Sequence, residues 1–159
     1  MKIGVVSDTH SRPVPPEVLE SFKDVDFIIH AGDFCSLEDL KQFQKVKMVK
    51  AVHGNMDEHD LHSILPERDI VLWKNFKIGL YHGRGPANRV VDVVQEEFKN
   101  DQVDAVVFGH SHQPFNEELK GVLYFNPGSP NDTIFAPYCS YGILEVNGDK
   151  LIGKIIKVK

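Results

Sequence analysis

The sequence predicts an α/β fold of two packed, mixed β-sheets flanked by helices. Two observations carry that prediction. Through the first two thirds of the chain, short Val- and Ile-rich runs alternate with stretches of helical character, the rhythm of βαβ units. From about Gly121 the helical stretches stop, and strand-like runs follow one another across turn residues, a pattern that favours antiparallel pairing.

The apolar runs cover residues 2–6, 26–30, 46–52, 77–81 and 104–108. They lack polar alternation, as strands covered on both faces do. Between them, Pro15-Pro16-Glu17 opens a helix through about Lys23. Ser36 is a good N-cap for a helix over 37–44, with Asp39 at its N3 position. Pro86 starts a helix through Lys99, with Val90, Val91, Val93, Val94 and Phe98 as its packing stripe. The later runs are 122–125, 141–146 and 151–158. The last two join through Asn147-Gly148-Asp149-Lys150, residues that accept positive φ cheaply and so favour a hairpin. Residues 69–73 and 76–81 form a second pair through Lys74-Asn75, while 12–16, 58–66 and 115–119 read as loops. With no repeat, linker or low-complexity tract, residues 1–159 are expected to form one domain.

Composition narrows the function. A formal charge of −5 argues against a broad basic surface, so nucleic acid is not the expected partner. The N-terminal run turns polar at Ser7 and Asp8, too soon for a signal peptide or membrane span, which points to the cytoplasm. Cys35 and Cys139 lack C-x-x-C spacing, so neither a disulfide framework nor a thiolate zinc site is indicated.

At five places an apolar run stops and ligand-type residues follow at once. These are Ser7-Asp8-Thr9-His10, His30-Ala31-Gly32-Asp33, His53-Gly54-Asn55, His82-Gly83 and Gly109-His110-Ser111-His112. The carboxyl ends of parallel strands share one edge, where ligands bind in open α/β sheets. Asp8 with His10, and His110 with His112, are two apart, so an extended backbone would aim each pair to one side. Imidazole, carboxylate and amide donors without thiolate suit Mn, Fe, Zn, Ni or Co, and the carboxylates keep Mg conceivable. Asp8, His10, Asp33, Asn55, His82, His110 and His112 are too many ligands for one ion. A carboxylate can bridge two ions about 3.5–4 Å apart; Asp33 is the natural bridge.

The ordered set D-x-H (Asp8, His10), G-D (Gly32-Asp33), G-N-x-D (Gly54 to Asp57), His82-Gly83, G-H-x-H (Gly109 to His112) and Asn126-Pro127-Gly128-Ser129 resembles the calcineurin-like metallophosphoesterases. Within that family it is most similar to the small single-domain phosphodiesterases of bacteria and archaea. The resemblance spans nearly the whole chain and implies a four-layer α-β-β-α sandwich. It implies that Asp8, His10, Asp33 and His112 hold one divalent ion, Mn foremost, and that Asp33, Asn55, His82 and His110 hold the other. A hydroxide bridging the ions would attack the phosphorus of a small phosphate ester, with Asp33, Asn55 and His110 acting through the metals. Larger relatives carry histidine directly after the metal-binding asparagine; here Met56 stands there and cannot protonate a leaving group. His53 is the candidate substitute. Arg84 is either a partner for substrate phosphate or a solvated loop arginine. The same fold also serves as a non-catalytic interaction scaffold in the eukaryotic retromer subunit and as a nuclease in DNA-repair relatives. A scaffold is free to lose ligands, whereas all seven stand here, and the repair nucleases carry added domains.

Overall fold

The computed structural model describes residues 1–159. In chain order its elements are β1 (Lys2–Val6), α1 (Pro16–Ser21), β2 (Phe27–His30), α2 (Leu37–Gln44), β3 (Val49–Ala51), α3 (His59–Ile64), β4 (Arg68–Trp73), β5 (Phe76–Tyr81), α4 (Val90–Glu97), β6 (Ala105–Val107), β7 (Phe115–Leu119), β8 (Val122–Asn126), β9 (Ser140–Asn147) and β10 (Lys150–Lys157).

The strands form two five-stranded sheets, β10-β9-β1-β2-β3 and β4-β5-β6-β8-β7. In the first, β1, β2 and β3 run parallel, and the β9–β10 hairpin adds antiparallel strands. In the second, β5, β6 and β8 run parallel, with β4 and β7 antiparallel at the edges. Burial on both faces explains why the parallel strands show no alternation. Ile3 and Val5 of β1 join Ile29, Ile78, Leu80, Val107 and Phe125 between the sheets. Val6 of the same strand packs on the other side, with Val18, Phe22, Leu40, Phe43 and Leu61 from the helical layer. On the far face of the second sheet, Val90, Val94 and Phe98 cover Val106 and Tyr124. The layering is therefore helices, sheet, sheet, helix.

Several local expectations hold. The Ser36 side chain accepts from the Asp39 backbone N–H and the Asp39 carboxylate accepts from the Ser36 backbone N–H at 3.3 Å, the two reciprocal bonds of the expected capping box on α2. Lys74 takes φ +58° in the β4–β5 turn and Gly148 φ +63° in the β9–β10 turn.

Others are corrected. Residues 115–119 form β7 rather than a loop, pairing from Phe115↔Asn126 to Leu119↔Val122 around Lys120 and Gly121, which both have positive φ. Asn116, Glu117 and Glu118 are exposed on this edge strand, and so hide its strand character in the sequence. Residues 58–66 include α3, whose Leu61 is fully buried. The run 46–52 yields only the short β3, because the N–H groups of Val46 and Lys47 still bond Phe43 O at the end of α2. The helix expected from Pro86 begins as a 3₁₀ turn, Ala87–Arg89, before α4.

Candidate metal centre

The loops that leave β1, β2, β3, β5 and β6 bring the predicted ligands to one rim. The first two run side by side, with Asp8 N–H bonding Gly32 O at 3.0 Å and His10 N–H bonding Asp33 O at 3.0 Å. The paired ligands do not converge through extended backbone. Asp8, His10, Asp33, His110 and His112 all take left-handed φ, +58°, +46°, +59°, +69° and +57°. Non-glycine residues in that region carry strain, which surrounding structure must hold in place and which clusters at functional sites.

Asp8 is wholly buried. Its Oδ2 accepts from Ser7 Oγ at 2.7 Å and from His110 N–H at 3.0 Å. Its Oδ1 has no hydrogen-bond partner, yet faces His112 Nε2 at 3.3 Å, His10 Nε2 at 3.7 Å and His82 Nε2 at 3.8 Å. Asp33 Oδ1 accepts from Met56 N–H at 2.8 Å, leaving Oδ2 3.1 Å from His82 Nε2 and 3.6 Å from His10 Nε2. His82 donates from Nδ1 to Ala31 O at 2.7 Å, and its buried Nε2 is in no hydrogen bond. The donor atoms form two close groups, Asp8-His10-His112 and Asp8-Asp33-His82. Asp8 belongs to both, while Asp33 also reaches across from His82 to His10. The remaining pair stands beside these groups: His110 Nδ1 lies 3.3 Å from Asn55 Oδ1, its Nε2 donates to Gly85 O at 2.8 Å, and its ring meets that of His82 edge-on.

The proton balance follows from this crowding. Burial disfavours a charged Asp8, but His82, His10 and His112 outweigh it and hold the carboxyl far below the usual range. Burial also opposes charge on His82, yet Asp8 and Asp33 raise its imidazole to about 9; Asp8 and Asp132 do the same for His112, again to about 9. A carboxylate oxygen and an imidazole nitrogen buried 3.8 Å apart, neither in a hydrogen bond, are costly to leave so. A divalent cation satisfies both. The donor set therefore fits metal ions.

Neighbouring residues secure the loops. Asp57 accepts from the N–H groups of Gly54 at 2.6 Å, Cys35 at 2.8 Å and Asp33 at 2.9 Å, tying the β2 and β3 exits together. A Cβ at Gly54 would run into the Asp33 carboxylate, and one at Gly109 into Ser7 Oγ and Asp8 Oδ2. His30 is a packed residue: its ring stacks on Phe34, its Nδ1 accepts from Gly32 N–H at 3.1 Å and its Nε2 contacts Thr9 Oγ1 at 3.1 Å. In Asn126-Pro127-Gly128-Ser129, Asn126 donates to Gly109 O at 3.0 Å, and the buried Ser129 hydroxyl donates to Asp8 O at 2.8 Å. Met56 is exposed. His53, Asn55, His62, Glu67, Tyr81 and Arg84 line a cleft of about 210 Å³ beside the rim, with the His53 and His62 rings 3.9 Å apart.

One site residue escaped the sequence reading. Asp132, fully buried, lies 2.5 Å through Oδ2 from His112 Nδ1. It sits in a polar turn beyond Ser129, and nothing in its local pattern separates it from an ordinary turn aspartate.

Residues 1–149 match the profile of the calcineurin-like phosphoesterase superfamily domain. The chain belongs to this superfamily. A probable metallophosphoesterase of Methanothermobacter thermautotrophicus is 36% identical to this calcineurin-like chain, covering 99% of it and 92% of the relative. A phosphodiesterase of Methanocaldococcus jannaschii is 32% identical over 80% of the chain and 83% of its own length. Among solved structures, that of an archaeal phosphodiesterase superposes with a TM-score of 0.79 at 29% identity, covering 98% of this chain and all of that one. Vps29 of Chaetomium thermophilum reaches 0.85 at 20% identity, covering 100% of this chain and 88% of that one, and shows the shared fold alone. Family and relatives together make the protein a metal-dependent phosphoesterase. No helix is long and apolar enough to cross a membrane.

Proposed function

We propose that the protein hydrolyses small phosphodiesters, with activated phosphomonoesters as poorer substrates, using two divalent metal ions. The observation that carries this is the pair of buried ligand atoms, Asp8 Oδ1 and His82 Nε2, that lie 3.8 Å apart with neither in a hydrogen bond. In this reading Asp8, His10, Asp33 and His112 hold one ion and Asp33, Asn55, His82 and His110 the other, within a single domain over 1–159. Manganese is the favoured metal, and Ni, Co, Fe, Zn or Mg are compatible with the donors. When bound, such ions supply a water nucleophile at neutral pH and positive charge for the phosphoryl oxygens.

The protein's own residues do the rest. Ala31 O fixes the His82 ring so that Nε2 faces the carboxylates. Met56 N–H and Asp57 hold Asp33 and its loop in place. The cleft beside Asn55 receives the second ester arm, with Arg84 placed to pair with a phosphate oxygen. Burial and the neighbouring His62 push the His53 imidazole below its ordinary 6.5. It is therefore mostly neutral at pH 7, and serves as a hydrogen-bonding wall rather than a ready acid. With Met56 at the adjoining position, leaving groups that need no protonation are favoured. The balance of Arg84 against Glu67 forms no basic track for a nucleic-acid backbone, and we place the enzyme in the cytoplasm.

The test is to strip the protein of metal, reload it with Mn, Ni, Co, Zn or Mg, and assay a bis-aryl phosphodiester beside an aryl phosphomonoester. The diester should be the faster substrate. Inactivity of folded protein with every metal would refute the hydrolase reading and favour a scaffold.

A further inference from the structure

The three imidazoles that crowd Asp8 Oδ1 are held differently at their outer nitrogens. His82 Nδ1 donates to a neutral carbonyl, Ala31 O, at 2.7 Å. His10 Nδ1 has only Cys35 Sγ, at 3.6 Å. His112 Nδ1 meets a carboxylate, Asp132 Oδ2, at 2.5 Å. Asp132 is itself well anchored. Its Oδ1 accepts from the N–H groups of Ile134 at 2.8 Å and Phe135 at 3.1 Å, and Arg12 Nη1 lies 3.5 Å away. Its own N–H bonds Ser129 Oγ at 3.1 Å, and that hydroxyl in turn bonds Asp8 O. Asp132 thus links His112 to the backbone of the loop that carries Asp8.

We infer that Asp132 is a positioning residue for His112. It keeps a proton on Nδ1, holds Nε2 toward Asp8 Oδ1 and makes that nitrogen, once its own proton has left, the more basic ligand. A carboxylate behind a metal-binding histidine orients the ring and raises its basicity, and its loss typically lowers metal affinity by about 10- to 100-fold. The two ion positions are therefore unequal: the one served by Asp8, His10 and His112 has carboxylate backing, and the one on the His82 side rests on a neutral carbonyl. This rests on the two-metal reading above.

Asp132→Asn is the informative change. Its amide oxygen can still accept from Ile134 and Phe135, while its NH₂ would face His112 Nδ1 and oppose the proton there. Titration of the metal-free protein with Mn(II) should show two binding steps. In the variant one step should weaken by about 10- to 100-fold, while the other moves by less than about threefold. The unfolding midpoint of the metal-free variant reports any purely structural role. Equal weakening of both steps, or of neither, overturns the assignment. Absence of metal binding in the unaltered protein sinks both this inference and the proposed function. If Asp132→Asn does not fold, nitrogen-15 spectra of histidine in the Zn-loaded unaltered protein decide the matter. A protonated Nδ1 and metal-bound Nε2 at His112 are expected, and an unprotonated or metal-bound Nδ1 overturns the assignment.

Discussion

Loading metal at pH 8 should drive close to two protons per chain from the rim imidazoles. In the metal-free protein burial works against charge on His82, but Asp8 and Asp33 prevail and hold it near 9; Asp8 and Asp132 hold His112 near the same value. A group titrating at 9 is about 0.9 protonated at pH 8, against about 0.03 for an ordinary histidine. Ligation through Nε2 requires that proton to leave. The two residues together thus predict about 1.8 protons released, where unperturbed histidines would give less than about 0.1. Calorimetric titration with Zn or Mn, in buffers of matched pH and different ionisation enthalpy, reads the number directly. Release by these imidazoles must fall as pH is raised from 8 to 10, whereas acidification of metal-bound water would rise over that range. A release below about 0.5 proton at pH 8, or one that grows steadily toward pH 10, would refute the coupling of Asp8 to these rings.

The same shifts fix the direction of the stability profile. Because the folded values are raised, the contribution is full below the unfolded value of 6.5 and is lost as pH climbs through 9. For the buried His82 it amounts to about 3 kcal/mol. Metal-free protein should therefore lose thermal stability between pH 6.5 and 9.5, while metal affinity strengthens over that interval. On the acid side, affinity unchanged down to pH 5 would contradict histidine ligation.

Two substitutions probe the scaffold. Gly54→Ala puts a methyl against the Asp33 carboxylate, so metal content after reloading should drop by an order of magnitude or more, with the fold retained by circular dichroism; full metal content would show that the close approach is not required. Phe125→Ala empties a fully buried site between the sheets, with an expected loss of about 3–5 kcal/mol in urea unfolding; a loss under about 1 kcal/mol would mean that the inter-sheet core closes around the gap.

The legible and illegible parts of this protein divide by the range of the signal. The strands β1, β2, β5 and β6, the capping box of Ser36 and Asp39, and the ligand-type residues at strand ends all announce themselves within a few positions, because periodicity and turn chemistry are local. β7 stayed hidden, since an edge strand open to water keeps polar residues, and only its pairing with β8 makes it a strand. The short α3 was equally silent, needing Leu61 in the helical core to hold it.

The sequence alone determined the α/β class and offered seven residues as ligand candidates, because ordered motifs at the ends of apolar runs can be recognised without knowing where the strands go. Only the tertiary structure decided how those residues meet. It aims three imidazoles at Asp8 Oδ1, two of which, His10 and His112, stand on left-handed rather than extended backbone. It also sets Asp132 behind His112 across a sequence separation of 20. Distances between loops are fixed by the packing of two sheets and the backbone bonds between their exits, and no local pattern of residues encodes them.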